Sequence, residues 1–157
     1  MKVASFEIVF QEVPNEVSLA LNISGCPNRC KGCHSPHLWE DTGEELTTDL
    51  LDGLLERYGV GITCVCFMGG DQDPAYVAEL AAFVRAREYK TAWYSGREWN
   101  LAAGENPFNF QLSTFNFIKT GPYIESLGGL KSPTTNQRFY RRDGDTWIDE
   151  TYLFAKK

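Results

Sequence analysis

Apolar residues recur along this chain with two different spacings, and the switches between them mark out strands and helices. Ser5 to Gln11 and Val17 to Ser24 alternate apolar and polar positions, and Pro14-Asn15 lies between them as a turn. In the second run Val17, Leu19, Leu21 and Ile23 share one face. Leu50, Leu51, Leu54, Leu55 and Tyr58 then repeat at helical spacing, with Thr47 or Thr48 to cap the start and Gly59 to stop the helix. A short apolar run, Ile62 to Phe67, reads as a buried strand that ends in Gly69-Gly70-Asp71. Asp73-Pro74 supply a cap and a first-turn proline for a second helix with Val77, Leu80, Ala81 and Val84 inward. Lys90 to Tyr94 and Phe115 to Lys119 complete the set as two further strands.

Helix-length spacers between short apolar strands predict an α/β fold with a mostly parallel sheet joined by right-handed crossovers. A complete eight-unit barrel needs roughly 200 residues or more, and this chain has 157. The expectation is therefore an incomplete, open β/α barrel forming a single domain over residues 1–157. Its functional loops should emerge at the carboxyl ends of the strands. The loops after Ser24, Phe67 and Tyr94 would then share one edge.

Composition narrows the function classes. With 43% hydrophobic and 13% aromatic residues, a chain of this length can bury one substantial core. A net charge of -6 lacks the basic footprint of a nucleic-acid binder, so proteins and small molecules are the expected partners. Met1 to Glu7 contains no apolar stretch of the signal-peptide kind, and no segment approaches membrane-spanning length, so no membrane contact and a cytoplasmic location are expected.

The chemistry lies in Cys26-Pro27-Asn28-Arg29-Cys30-Lys31-Gly32-Cys33, a C-x3-C-x2-C run. Three thiolates at this spacing can hold a four-iron cluster and leave one iron without a protein ligand. Electron-transfer clusters of that size take four cysteines, and structural zinc sites also close with four ligands. A zinc knuckle completed by His34 or His37 is the competing reading. Five cysteines is an odd number, which with the absence of secretory features argues against a disulfide framework. Cys64 and Cys66 share one face of a strand and read as small apolar core residues.

The segment Ile23-Ser24-Gly25-Cys26 through Cys33-His34-Ser35-Pro36, followed by Leu38-Trp39-Glu40, resembles the cluster loop of the radical S-adenosylmethionine superfamily, and in particular the small glycyl-radical activating enzymes. Gly69-Gly70-Asp71, Tyr94-Ser95-Gly96, Gly121-Pro122-Tyr123 and Thr135-Asn136-Gln137-Arg138 resemble, in order, later segments of the anaerobic ribonucleoside-triphosphate reductase activating proteins. These matches run from about residue 8 to 141.

The resemblance implies a 4Fe-4S cluster on Cys26, Cys30 and Cys33, with S-adenosylmethionine as second cofactor. It places Gly69, Gly70 and Asp71 at the amino group of that cofactor, with Gly32, Cys33, His34 and Ser95 also in contact and Trp39 shielding the site. The implied reaction is reductive cleavage to a 5'-deoxyadenosyl radical, which installs a glycyl radical on a glycine-containing segment of anaerobic ribonucleotide reductase. Flavodoxin or ferredoxin would supply the electron. Relatives acting on pyruvate formate-lyase, and a non-enzymatic iron-sulfur or zinc module, are the alternatives. Two departures stand out: Gly32 replaces an aromatic residue, and Asn116 replaces an acidic one expected to meet ribose or substrate. Lys119 either meets the ribose or carboxylate of the cofactor or points to solvent. The aperiodic stretch from Gly121 to Arg138 is expected to flank the cofactor opening and to dock the reductase.

Overall fold

The computed structural model describes residues 1–27 and 42–155. Its eight strands are β1 (Lys2–Val9), β2 (Ser18–Ile23), β3 (Glu44–Glu45), β4 (Cys64–Met68), β5 (Lys90–Tyr94), β6 (Phe117–Thr120), β7 (Arg138–Asp143) and β8 (Thr146–Asp149). They form one sheet in the order β3-β1-β2-β4-β5-β6-β7-β8. Helix α1 (Thr48–Tyr58) follows β3, and α2 (Pro74–Arg85) joins β4 to β5. Among the described residues, no helix is long and apolar enough to cross a membrane.

The expected incomplete β/α barrel with a mostly parallel sheet is overturned. Only β2, β4, β5 and β6 run parallel. β1 is antiparallel to β2 and β3, and β7 is antiparallel to β6 and β8, so the eight-stranded sheet is mixed and carries only two short helices among the described residues. The reason lies in the connections. Asn15 takes a positive φ of 67° in the turn that folds β2 back on β1, and Gly144 at 61° does the same between β7 and β8. Such short reversals give antiparallel neighbours, whereas a parallel pair needs a crossover of a dozen residues or more. The segment between β5 and β6 is long enough to cross but forms no helix, and Trp99, Leu101, Leu112 and Phe115 pack in its place.

Local signals explain the helices. The Thr47 hydroxyl accepts from the Leu50 amide at 3.1 Å, and the Asp73 carboxylate accepts from the Tyr76 amide at 3.3 Å, each satisfying an amide that has no partner inside the helix. Leu51, Leu54 and Leu55 of α1 and Val77, Leu80 and Val84 of α2 pack on one sheet face against Leu21, Phe67 and Trp93. Each fully buried side chain of this size contributes about 1.5–3 kcal/mol. The opposite face holds a smaller core in which Val13 and Phe139 cover Cys64, Cys66, Ala92 and Phe117.

Two glycines test this packing in opposite directions. Gly70 has φ +94°, and a Cβ there would lie 2.5 Å from Val77 Cγ2 on α2, whereas a Cβ on the exposed α1 residue Gly53 would meet nothing within 4 Å. Denaturant unfolding should therefore show Gly53→Ala gaining about 0.5–1 kcal/mol and Gly70→Ala losing at least about 2 kcal/mol. Equal effects at the two positions would refute the helix-to-turn contact.

Candidate functional site

The four parallel strands deliver their carboxyl ends to one edge. Ser24-Gly25-Cys26 follows β2, Gly69-Gly70-Asp71 follows β4, Ser95-Gly96-Arg97 follows β5 and Gly121-Pro122 follows β6. Cys26 sits half-buried on this edge. Cys30, Gly32, Cys33, His34, His37 and Trp39 lie outside the described residues. Among the described residues, no group of three or more His, Cys, Asp or Glu is arranged to hold a metal ion.

Hydrogen bonds run along the whole edge. The Ser24 hydroxyl donates to the Thr42 carbonyl at 2.6 Å and accepts from the Thr42 amide at 3.1 Å, so the two ends of the cysteine-bearing segment are joined. Gln72 Nε2 donates to the Ser24 carbonyl at 2.7 Å. Asp71 is 2% exposed, and its carboxylate accepts from Ser95 Oγ at 2.6 Å and from the Gly96 amide at 2.8 Å. Arg97 Nη2 donates to the Asp71 carbonyl at 3.0 Å. A buried carboxylate is tolerated only when its oxygens are engaged. Here the engagement bolts the loop after β5 to the loop after β4.

Lys119 is buried, so the solvent-facing reading is overturned. Its ammonium donates to the carbonyls of Ser95 at 3.1 Å and Gly121 at 2.7 Å, which caps the ends of β5 and β6. The structure thus gathers Cys26, Gly69, Gly70, Asp71, Ser95 and Lys119 on one edge. It does not bring Asn116 there. Asn116, where the departure from an acidic residue left a ribose or substrate role in doubt, precedes the amino end of β6, and its Oδ1 accepts from the Thr91 amide at 3.0 Å. Gln72, Arg97 and Thr42 belong to the network but carried no motif. Their one sequence signal is adjacency: Gln72 and Arg97 each flank a glycine turn.

The Gly69-Gly70 turn is packed from within. A Cβ on Gly69 would lie 3.1 Å from the Ile23 carbonyl oxygen, and its own carbonyl accepts from Trp93 Nε1 at 2.9 Å. On the sheet's second face a cavity of about 450 Å³ opens among Glu12, Tyr94, Leu130, Lys131 and Phe154. The Tyr94 hydroxyl donates to the Glu12 carbonyl there. Residues 121–137 are held by their own side chains: Ser132 and Thr134 hydroxyls donate to the Leu127 carbonyl at 2.7 and 2.8 Å, and Asn136 Nδ2 donates to the Pro122 carbonyl at 3.1 Å.

Cys64 and Cys66 are fully buried in the second core. Burial pushes the Cys64 thiol up to about 12, partly offset by the nearby Ser18 hydroxyl, and burial also holds Cys66 well above the usual thiol range. Both therefore stay protonated at neutral pH and are poor metal ligands.

Two measurements follow. Asp71→Ala leaves the Ser95 hydroxyl and the Gly96 amide without their acceptor, which should lower unfolding free energy by at least about 2 kcal/mol, while Asp71→Asn, which keeps one acceptor, should lose less. A change below about 0.5 kcal/mol for the alanine variant would remove the bolt from the account. For the thiols, the folded state binds more protons than the unfolded state above the ordinary value of 9.0, so stability is fully present below that pH and is lost as pH rises toward about 12. Urea unfolding between about pH 8 and pH 10.5 should show a steeper loss for the wild type than for Cys64→Ala/Cys66→Ala, and parallel slopes would contradict it.

A family model described as a 4Fe-4S single cluster domain matches residues 16–138. No curated protein and no solved structure gives a significant match. The matched span opens just before β2, contains Cys26, Cys30 and Cys33, and closes at the first residue of β7, so it takes in the whole parallel part of the sheet and every loop of its carboxyl edge. This chain belongs to the 4Fe-4S single cluster domain family and is an iron-sulfur protein.

Proposed function

We propose that the protein is a glycyl-radical activating enzyme, in which Cys26, Cys30 and Cys33 hold a 4Fe-4S cluster with one iron open to S-adenosylmethionine. The observation that carries this reading is that the three-cysteine run begins at Cys26, just after β2, on the edge that also carries the loops after β4 and β5. The donor set fits such a cluster, since three soft ligands at this spacing suit iron and leave one coordination position unfilled. When bound, the cluster and cofactor together supply one-electron cleavage of the sulfonium to methionine and a 5'-deoxyadenosyl radical able to take hydrogen from a glycine.

The protein's own groups set the stage. Ser24 and Thr42 fix the neck of the cysteine segment. Gly69, Gly70 and Asp71 lie on the same edge as that neck, with the Asp71 carboxylate directed inward to Ser95 and Gly96. Hold on the methionine end of the cofactor therefore rests chiefly on the open iron, and Asp71 acts by positioning the two loops. The cavity over Tyr94, bordered by Leu130 and Lys131 of the 121–137 segment, is the proposed entry for the glycine-bearing segment of anaerobic ribonucleotide reductase, with flavodoxin or ferredoxin as donor. The inward engagement of Asp71 also favours a second reading, a cluster protein that carries electrons without cleaving S-adenosylmethionine.

One experiment separates the two. Anaerobically reconstituted, reduced protein incubated with S-adenosylmethionine should release 5'-deoxyadenosine, and with the reductase added, electron paramagnetic resonance should record a glycyl radical doublet. Alanine at Cys26, Cys30 or Cys33 should abolish cluster absorbance, whereas Cys64→Ala and Cys66→Ala should retain about four irons per chain. A full cluster with no 5'-deoxyadenosine would establish the electron carrier instead.

A further inference from the structure

The β7–β8 hairpin and the segment between β5 and β6 together line a cavity of about 400 Å³, a volume suited to a small ligand. It lies toward the amino edge of the parallel strands, where Arg142 reaches the Phe115 carbonyl just ahead of β6. Ser24 and Thr42, by contrast, meet at the carboxyl edge beside β2, and β4, β5 and β6 stand between β2 and β7. The cavity is therefore a place apart from the cysteine-bearing edge.

Its lining combines three kinds of group. Arg142 Nε donates to the Phe115 carbonyl at 2.9 Å and Nη1 to the Gly144 carbonyl at 3.2 Å, so two main-chain acceptors fix the plane of the guanidinium. Neither acceptor is charged. Arg138 and Arg141 on the same strand are paired with Asp149 and Glu150, but among the described residues no carboxylate stands within ion-pair distance of Arg142. A guanidinium held this way keeps N–H groups for a carboxylate. Trp147 stands directly opposite Arg142 across the hairpin and on the same face, half-buried against the main core, and the buried Leu101 and Leu112 complete the apolar lining. Glu105 and Asp145 add two exposed carboxylates, of which Glu105 is fixed by accepting the Asn100 amide at 2.8 Å.

We propose that this cavity binds a free α-amino acid with an apolar side chain. Its carboxylate would meet Arg142, its ammonium Glu105 and Asp145, and its side chain Trp147, Leu101 and Leu112. A ligand needs both charges to match this lining. Inorganic phosphate or a nucleotide would answer Arg142 but set its own negative charge beside two carboxylates, and a simple amine would leave the guanidinium without a counter-charge. The inference rests on this cavity alone and stands whichever reaction the cluster performs.

The test titrates the full-length holoprotein calorimetrically with L-phenylalanine and L-leucine, each compared with its des-amino acid and its decarboxylated amine, and with inorganic phosphate. At least one amino acid should bind with a dissociation constant of about 1 mM or below, at least about fivefold tighter than either of its counterparts. Hydrogen exchange should slow in the β7–β8 hairpin and not in β2. Glu105→Gln/Asp145→Asn, which keeps an acceptor for the Asn100 amide, should weaken the amino acid about fivefold and leave its des-amino counterpart unweakened. Arg142→Gln should weaken both by about tenfold or more, and if that variant does not fold, the paired ligands and the Glu105→Gln/Asp145→Asn variant decide the matter. Equal binding of the des-amino acid, phosphate binding as tight as the amino acid, or no binding heat at about 10 mM amino acid would overturn the proposal.

Discussion

A carboxylate buried at 2% exposure has to be met by donors on every accessible side, and at Asp71 those donors come from a different loop. Ser95 and Gly96 are held by the Asp71 side chain, Arg97 by its carbonyl, and Lys119 then reaches back to the Ser95 carbonyl and on to Gly121. Three strand ends, already neighbours in the sheet, are thereby tied together through their loops as well. The loop geometry at this edge depends on that chain of charge-assisted bonds more than on hydrophobic burial, since the residues concerned carry little apolar surface.

The sheet separates two environments. The helix-covered face is filled with large apolar groups, among them Trp93 stacked on Phe115 with ring centroids 5.4 Å apart. Among the described residues the second face is covered without an α-helix, and it holds the pair of neutral thiols beneath Val13 and Phe139. Burial keeps those two sulfurs protonated and enclosed, which sets them apart from the half-buried Cys26.

Much of this was readable from residue order. Lys90 to Tyr94 has the limits the apolar run marks, and both helix starts fall on the capping residues Thr47 and Asp73. The sulfur-rich loop announced its own chemistry. The sheet's overall character was not readable in the same way, because a strand's direction is decided by the backbone of its connection, and Asn15 adopting φ 67° leaves little trace in the pattern of apolar positions. β7 and β8 escaped notice for a related reason: Arg138, Arg141, Arg142 and Asp143 dilute their alternation, and two of those arginines are held by Glu150 and the Phe115 carbonyl. The inward turn of Asp71 and the burial of Lys119 are likewise matters of three-dimensional pairing, invisible to spacing.

The bond between Ser24 and Thr42 has a consequence for how the metal centre is acquired. Bringing the two ends of a long segment together costs entropy that grows with the logarithm of its length. In this protein that closure is accomplished by a hydroxyl and a backbone amide and carbonyl, anchored through Gln72 to the α2 side of the sheet. Residues 24 and 42 are thus brought together by the fold itself, and closing the segment between them does not fall to a bound group.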